Sequence, residues 1–170
     1  ALARNHEKIV TLLRKHGVAV YDNLRQAAAE GEAEDVRLHI QQGANVHAVD
    51  DDQNTALHVA ASEGHQEVAL VLVESGADVQ ARNAWNAAPV HYAAGYGHLN
   101  VAELLITHGT PKDLLREEHA LNEKKAGALH YAVMNESREA AKYLLAAGTQ
   151  VDVREARDRT PLHLAAMEGD

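Results

Sequence analysis

The chain has 170 residues, 46% of them hydrophobic but only 4% aromatic and none of them Phe. Its core must therefore come from Ala, Leu, Val and Ile, which favours thin layers of short, closely packed helices over one large globular core. A net charge of −9 with neutral histidines disfavours non-specific binding to nucleic acid or anionic membrane. The lack of Cys removes disulfide and thiolate chemistry, and the longest apolar stretch, residues 68–73, is far too short for a membrane span.

In chain order, residues 7–16 are predicted helical and end at Gly17. His6 to Gly17 spans 11 residues, as His65 to Gly76 does, so residues 1–21 read as the trailing part of an upstream repeat plus a short linker. From Gly17 to Asp22 there are only 5 residues, against 12 from Gly43 to Thr55, which predicts a break or kink near residues 18–21. Paired helices are then expected at 23–30 and 33–42, at 56–63 and 66–75, and at 89–96 and 99–108. A further pair is expected at 128–135 and 138–147, followed by a lone helix at 161–168. Each apolar run is followed by a glycine (Gly17, Gly43, Gly76, Gly109, Gly148), where a helix end needs a left-handed residue.

The phasing carries the strongest signal. Thr55-Ala56-Leu57-His58 recurs as Ala88-Pro89-Val90-His91, Gly127-Ala128-Leu129-His130 and Thr160-Pro161-Leu162-His163, at offsets of 33, 39 and 33 residues. A degenerate copy, Asp22-Asn23-Leu24-Arg25, lies 33 residues before Thr55. A Thr or Pro ahead of a small-residue run marks a helix start. On these residues the chain resembles the ankyrin-repeat family, whose repeat is about 33 residues with a T-P-L-H start. The resemblance covers nearly the whole chain. It implies an all-α ankyrin-repeat solenoid of stacked helix-turn-helix units with short β-hairpin fingers. The expected units are 22–54, 55–87, 88–126, 127–159 and a truncated 160–170. Both ends are expected to be cut within a unit. The unit at 88–126 carries an insertion over 110–126, read either as a tolerated surface loop or as a short helix on a binding face.

The twelve histidines invite a metal site. A zinc site needs three or four ligands converging on one point, however, and a ladder with one His per repeat does not supply that. The resemblance implies that His58, His91, His130, His163, His65 and His98 hydrogen-bond the backbone and neighbouring turns. It also implies that Asp50 holds its finger turn, with Gln53 where glycine usually adopts positive φ. Gly95-Tyr96-Gly97 lacks the Lys and Ser/Thr of a phosphate loop, and Asp50-Asp51-Asp52 lacks the alternation and distal Glu of a calcium loop. No nucleophile motif or carboxylate pair stands out, so no enzyme, cofactor or metal is expected.

The resemblance implies a concave surface of fingers and inner helices that grips a partner protein. Trp85, Tyr92, Tyr96, Tyr131 and Met134 are the expected apolar centre, with Asp51, Asp52 and Glu63 as an acidic flank. For Tyr92 and Tyr131, half-buried packing stands as the other reading; for Trp85 it is packing against the adjacent finger or the insertion. A basic or amphipathic partner segment suits this surface. Nucleic acid and small-molecule substrates are not expected. The setting expected is cytoplasmic, including the cytosol of a host cell. The alternative role is a regulatory or targeting segment of a larger enzyme, bacterial effector or channel.

Overall fold

A computed structural model describes residues 2–110 and 127–168, apart from the side chains of residues 2–8 and 168. The described residues form ten helices: α1 (Leu2–Lys15), α2 (Leu24–Ala29), α3 (Ala33–Gln41), α4 (Ala56–Glu63), α5 (Gln66–Glu74), α6 (Pro89–Gly95), α7 (Leu99–Thr107), α8 (Ala128–Met134), α9 (Arg138–Ala147) and α10 (Pro161–Glu168). Helices of six to ten residues, as α2 to α10 are, are not stable alone in water. Stacking holds them. The inner row runs α2, α4, α6, α8, α10, each packed on the next, and α3, α5 and α7 form an outer row behind it. Helix α9 packs on α8 and α6. The expected insertion at 110–126 falls between α7 and α8, and residues 111–126 lie outside the described residues.

Small side chains set the spacing. Ala27, Ala28, Ala60, Ala61, Ala93 and Ala94 are all fully buried, so neighbouring inner helices approach closely. Leu57, Leu72, Leu105 and Leu144 are the largest of the fully buried side chains among the described residues. Burying one Leu side chain contributes about 1.5–3 kcal/mol.

The helix boundaries follow from local chemistry. Asn23 and Thr55 adopt extended backbone just before α2 and α4, and their side-chain oxygens accept from the N–H of Gln26 and His58. Ala88 and Gly127 occupy the same slot without a hydroxyl; there His91 Nδ1 and His130 Nδ1 accept from the Ala88 and Gly127 N–H groups at 3.0 and 3.2 Å. Gly17, Gly43, Gly76, Gly109 and Gly148 all have positive φ, as expected of helix ends.

Histidines bond forward to the residue just ahead of the next inner helix's start, and back to the preceding unit. Reaching forward, His58 Nε2–H donates to the Ala87 carbonyl at 3.1 Å, and His130 Nε2–H to that of Arg159 at 3.1 Å. Reaching back, His65 Nε2–H donates to Ala29 O and His98 Nε2–H to Ser62 O, both at 3.0 Å. The backward staple leaves no room for a side chain at Gly64, which adopts φ 77° directly beneath the His98 ring.

The fingers are tighter than hairpins. Residues 49–55 close in a single antiparallel bridge, Val49 to Thr55, and the described residues contain no longer strand. The Asp50 carboxylate accepts from the Asp52 and Asn54 N–H groups at 3.0 and 2.8 Å, taking donors a ladder would otherwise use. Gln53 sits at φ 62°, in the left-handed conformation expected of it.

Residues 18–21 form the expected break, and its anchor is Asp35, whose carboxylate is fully buried at the start of α3. It accepts from the N–H of Val20 at 2.6 Å and of Tyr21 at 3.1 Å, and from Arg14 Nε. Arg14 also donates to Glu32 at 2.8 Å, and His39 Nε2–H donates to the Tyr21 carbonyl at 2.9 Å. This junction docks α1 against α3.

Candidate protein-binding face

The inner helices and finger tips share one side of the stack. Equivalent positions in successive units are therefore adjacent, and the sequence slots become rows. Tyr92 and Tyr131 fill one slot on α6 and α8, while Tyr96 caps the end of α6 between them. The rings of Tyr92 and Tyr96 stack at 6.4 Å with 11° between planes, and Tyr96 meets Tyr131 at 5.0 Å and 52°. The Tyr92 ring also packs edge-on against His58 at 5.9 Å. Offset and tilted ring pairs of this kind add about 0.5–1.5 kcal/mol each beyond their area burial.

Exposure separates the members of this group. Tyr92 is only 8% exposed, so its ring works mainly as a prop behind Tyr96. Tyr96 and Tyr131 are half-buried. Met134, one turn after Tyr131, is 57% exposed. Trp85 sits in the turn of the next finger, half-buried, its N–H donating to Asn83 Oδ1 at 3.1 Å. Asp51, Asp52 and Glu63 are exposed.

Burial raises both phenol pKa values on α6. For Tyr96 it acts together with the neighbouring Tyr131 and the Glu63 carboxylate to push the value up to about 12. For Tyr92 burial outweighs the opposing hydrogen bond from Asn83. Both rings stay neutral across the physiological range, so the charge of this region comes from its carboxylates and arginines.

Two residues that sequence reasoning passed over matter here. Asn83 is buried and uses its whole amide: Nδ2 donates to Asn54 Oδ1 at 2.8 Å and to the Tyr92 hydroxyl at 2.7 Å, while Oδ1 accepts from Trp85 and Ala87. It locks the finger, the preceding finger and the tyrosine row together. The Ala84 N–H adds a direct finger-to-finger bond to Asp52 O at 2.9 Å. The signal for Asn83 was its register, since it occupies the slot of Asp50. Arg157 was legible in the same way, because it holds the finger-tip slot of Asp52 and Trp85 and is exposed.

Among the described residues no group of three or more His, Asp or Glu side chains could hold a metal ion. No helix among them is long and apolar enough to cross a membrane.

A family model described as ankyrin repeats (3 copies) matches residues 24–115 and 108–170. A stretch of 41 residues is 49% identical to NF-kappa-B inhibitor alpha of Gallus gallus. That match covers 24% of this chain and 13% of the relative, so the chain spans a small part of the relative's length. The repeated helix pairs, the histidine staples and a family match covering most of the sequence agree, and the chain belongs to the ankyrin-repeat family.

Proposed function

We propose that this chain binds a partner protein through the face made by its fingers and inner helices, and that it performs no catalysis. Ankyrin repeats generally mediate protein–protein interaction, and the relative's name describes an inhibitor of another protein. The observation that carries the reading is the aromatic row. Tyr96 and Tyr131 are half-buried and paired with each other on a support that Asn83 hydrogen-bonds at Tyr92, with Met134 exposed one turn after Tyr131. Tyr and Trp are enriched among residues that dominate interface energy, because they bury large rigid area at low entropic cost. The partner chemistry proposed is a basic or amphipathic segment, with Asp51, Asp52 and Glu63 beside the aromatic row to receive cations.

The test is a quantitative pull-down comparing wild type with Trp85→Ala and Tyr96→Ala, with Lys142→Ala on the outer helix α9 as control. Each aromatic truncation should weaken capture by about 2 kcal/mol if the residue is an anchor. The melting temperature should move little for Trp85→Ala and fall for Tyr96→Ala, which loses two ring pairs, so capture is compared well below both midpoints. Captured partners that survive both truncations, or that are lost only with Lys142→Ala, would reject the reading.

A further inference from the structure

Among the described fingers the tip slot changes sign along the stack. It holds Asp52, then Trp85, and in the last finger Arg157; the finger ahead of α8 falls in residues 111–126, outside the described residues. Asp51 and Asp52 are exposed, and their carboxylates make no hydrogen bond or ion pair among the described residues. The same holds for Glu63 at the end of α4 and for Glu30, its equivalent one unit earlier. In the last finger, Arg154 is paired with Asp158 at 3.1 Å and Arg159 with buried Glu155 at 2.8 Å. Arg157 is exposed and makes no ion pair among the described residues. In the middle finger Arg82 is tied to the Asn86 carbonyl at 2.8 Å. One face therefore runs from unpaired carboxylates, through the tyrosine row, to an unpaired arginine.

Resting on the protein-binding reading above, we infer that the occupant of this face is an extended protein segment of fixed polarity. Its Lys or Arg lies against Glu30, Asp52 and Glu63, its apolar middle on Tyr96 and Tyr131, and its Asp or Glu against Arg157. Stacked helices lie about 8–10 Å apart, so three units separate the two charged fingers by roughly 24–30 Å. An extended chain covers that distance in about eight or nine residues at ~3.3 Å each. A segment in the reverse direction would set carboxylate against carboxylate and cation against cation. Polarity is thus enforced by repulsion as well as attraction.

A random dodecapeptide phage library selected on the immobilised 170-residue chain tests this. The expected enrichment is peptides with a basic residue eight or nine positions from an acidic one, in one consistent order, with apolar residues between. Against Arg157→Glu the same peptides should bind roughly fivefold or more weakly at low salt, with the difference shrinking in 0.5 M salt. Fresh selection on that variant should yield peptides basic at both ends. Circular dichroism melts establish that Arg157→Glu and Tyr96→Ala remain folded. Peptides lost with Tyr96→Ala but carrying no charge order overturn the polarity and leave the binding face standing. Peptides indifferent to Tyr96→Ala and Trp85→Ala overturn both, and a selection that enriches nothing overturns the linear occupant.

Discussion

Replacing Gly64 by Ala should destabilise the array well beyond the cost of its backbone conformation, and Gly43 supplies the comparison. Both residues are left-handed, at φ 77° and 89°, where a Cβ costs roughly 1–2 kcal/mol. Reduced freedom of the unfolded chain returns about 0.4–1 kcal/mol of that. At Gly43 nothing lies within 4 Å of an added Cβ, so Gly43→Ala should cost about 1 kcal/mol. At Gly64 the added Cβ would run into His98 Nδ1 and stand 2.7 Å from Cε1 and Cγ of that ring. The ring must swing aside and give up its 3.0 Å bond to the Ser62 carbonyl. A half-buried carbonyl stripped of its donor adds about 1–3 kcal/mol. Gly64→Ala is therefore expected to cost about 2–4 kcal/mol. In the double variant Gly64→Ala/His98→Ala no ring remains to be displaced, so the two losses should fall short of additivity by about 1–2 kcal/mol. Urea denaturation followed by far-UV circular dichroism measures the global change. Fluorescence of Trp85, the one Trp in the chain, reports the unit 55–87 that carries Gly64, so local unfolding is seen separately. Equal losses for Gly64→Ala and Gly43→Ala, or additivity in the double variant, would refute the backward staple as an energetic link between units.

Asp35→Ala removes the acceptor for two backbone N–H groups and for Arg14. Since Glu32 still pairs with Arg14, the cost is expected near the low end for a broken buried pair, about 3 kcal/mol; hydrogen exchange should show protection lost in α1 and kept in α4 to α7. Ala88→Thr places a hydroxyl at a helix start that lacks one and should add about 1 kcal/mol of stability, visible as a raised melting temperature. Glu136 holds a left-handed φ of 52° at a helix end where α4 has Gly64, so Glu136→Gly should stabilise by up to about 1 kcal/mol in the same melts. Burial lowers the pKa of His58 and His130 below the ordinary 6.5, so the unfolded chain takes up protons more readily than the folded one. Stability should be level above pH 7, begin to fall near pH 6.5, and keep falling until the folded-state values are passed; melts from pH 8 to 5 check this, and His58→Asn should flatten part of the slope.

The helix pairs were legible because each boundary is marked by local chemistry: Thr55 before α4, Pro89 at the first turn of α6, Gly148 after α9. Five phased copies turned weak local signals into a register. The register could not show what occurs once. Asp35 reaches across to Val20 and Tyr21 in a linker with no copy elsewhere in the chain, and nothing in the sequence pairs a helix carboxylate with those amides. Nor could it separate Tyr92 from Tyr131, which share a slot. Their difference in exposure depends on neighbours, among them the Asn83 amide that meets the Tyr92 hydroxyl.

The contrast between slots bears on function. In the central units the stacking interface repeats, and positions inside it keep one chemistry: alanine at 60–61 and 93–94, histidine at 58 and 91 and at 65 and 98, with Arg25, Val133 and Ser137 departing towards the ends. The finger tip is less constrained, exposed at Asp52 and Arg157 and half-buried at Trp85, and among the described fingers it carries carboxylate, indole and guanidinium. Asp50, Asn83 and Glu155, just beneath those tips, each turn a side-chain oxygen back onto the backbone N–H two residues on. A tip held by its own base needs nothing from the residue it displays. Asp52, Trp85 and Arg157 can therefore differ without loss of the turn beneath them, and under the proposed function they are the residues a partner meets first.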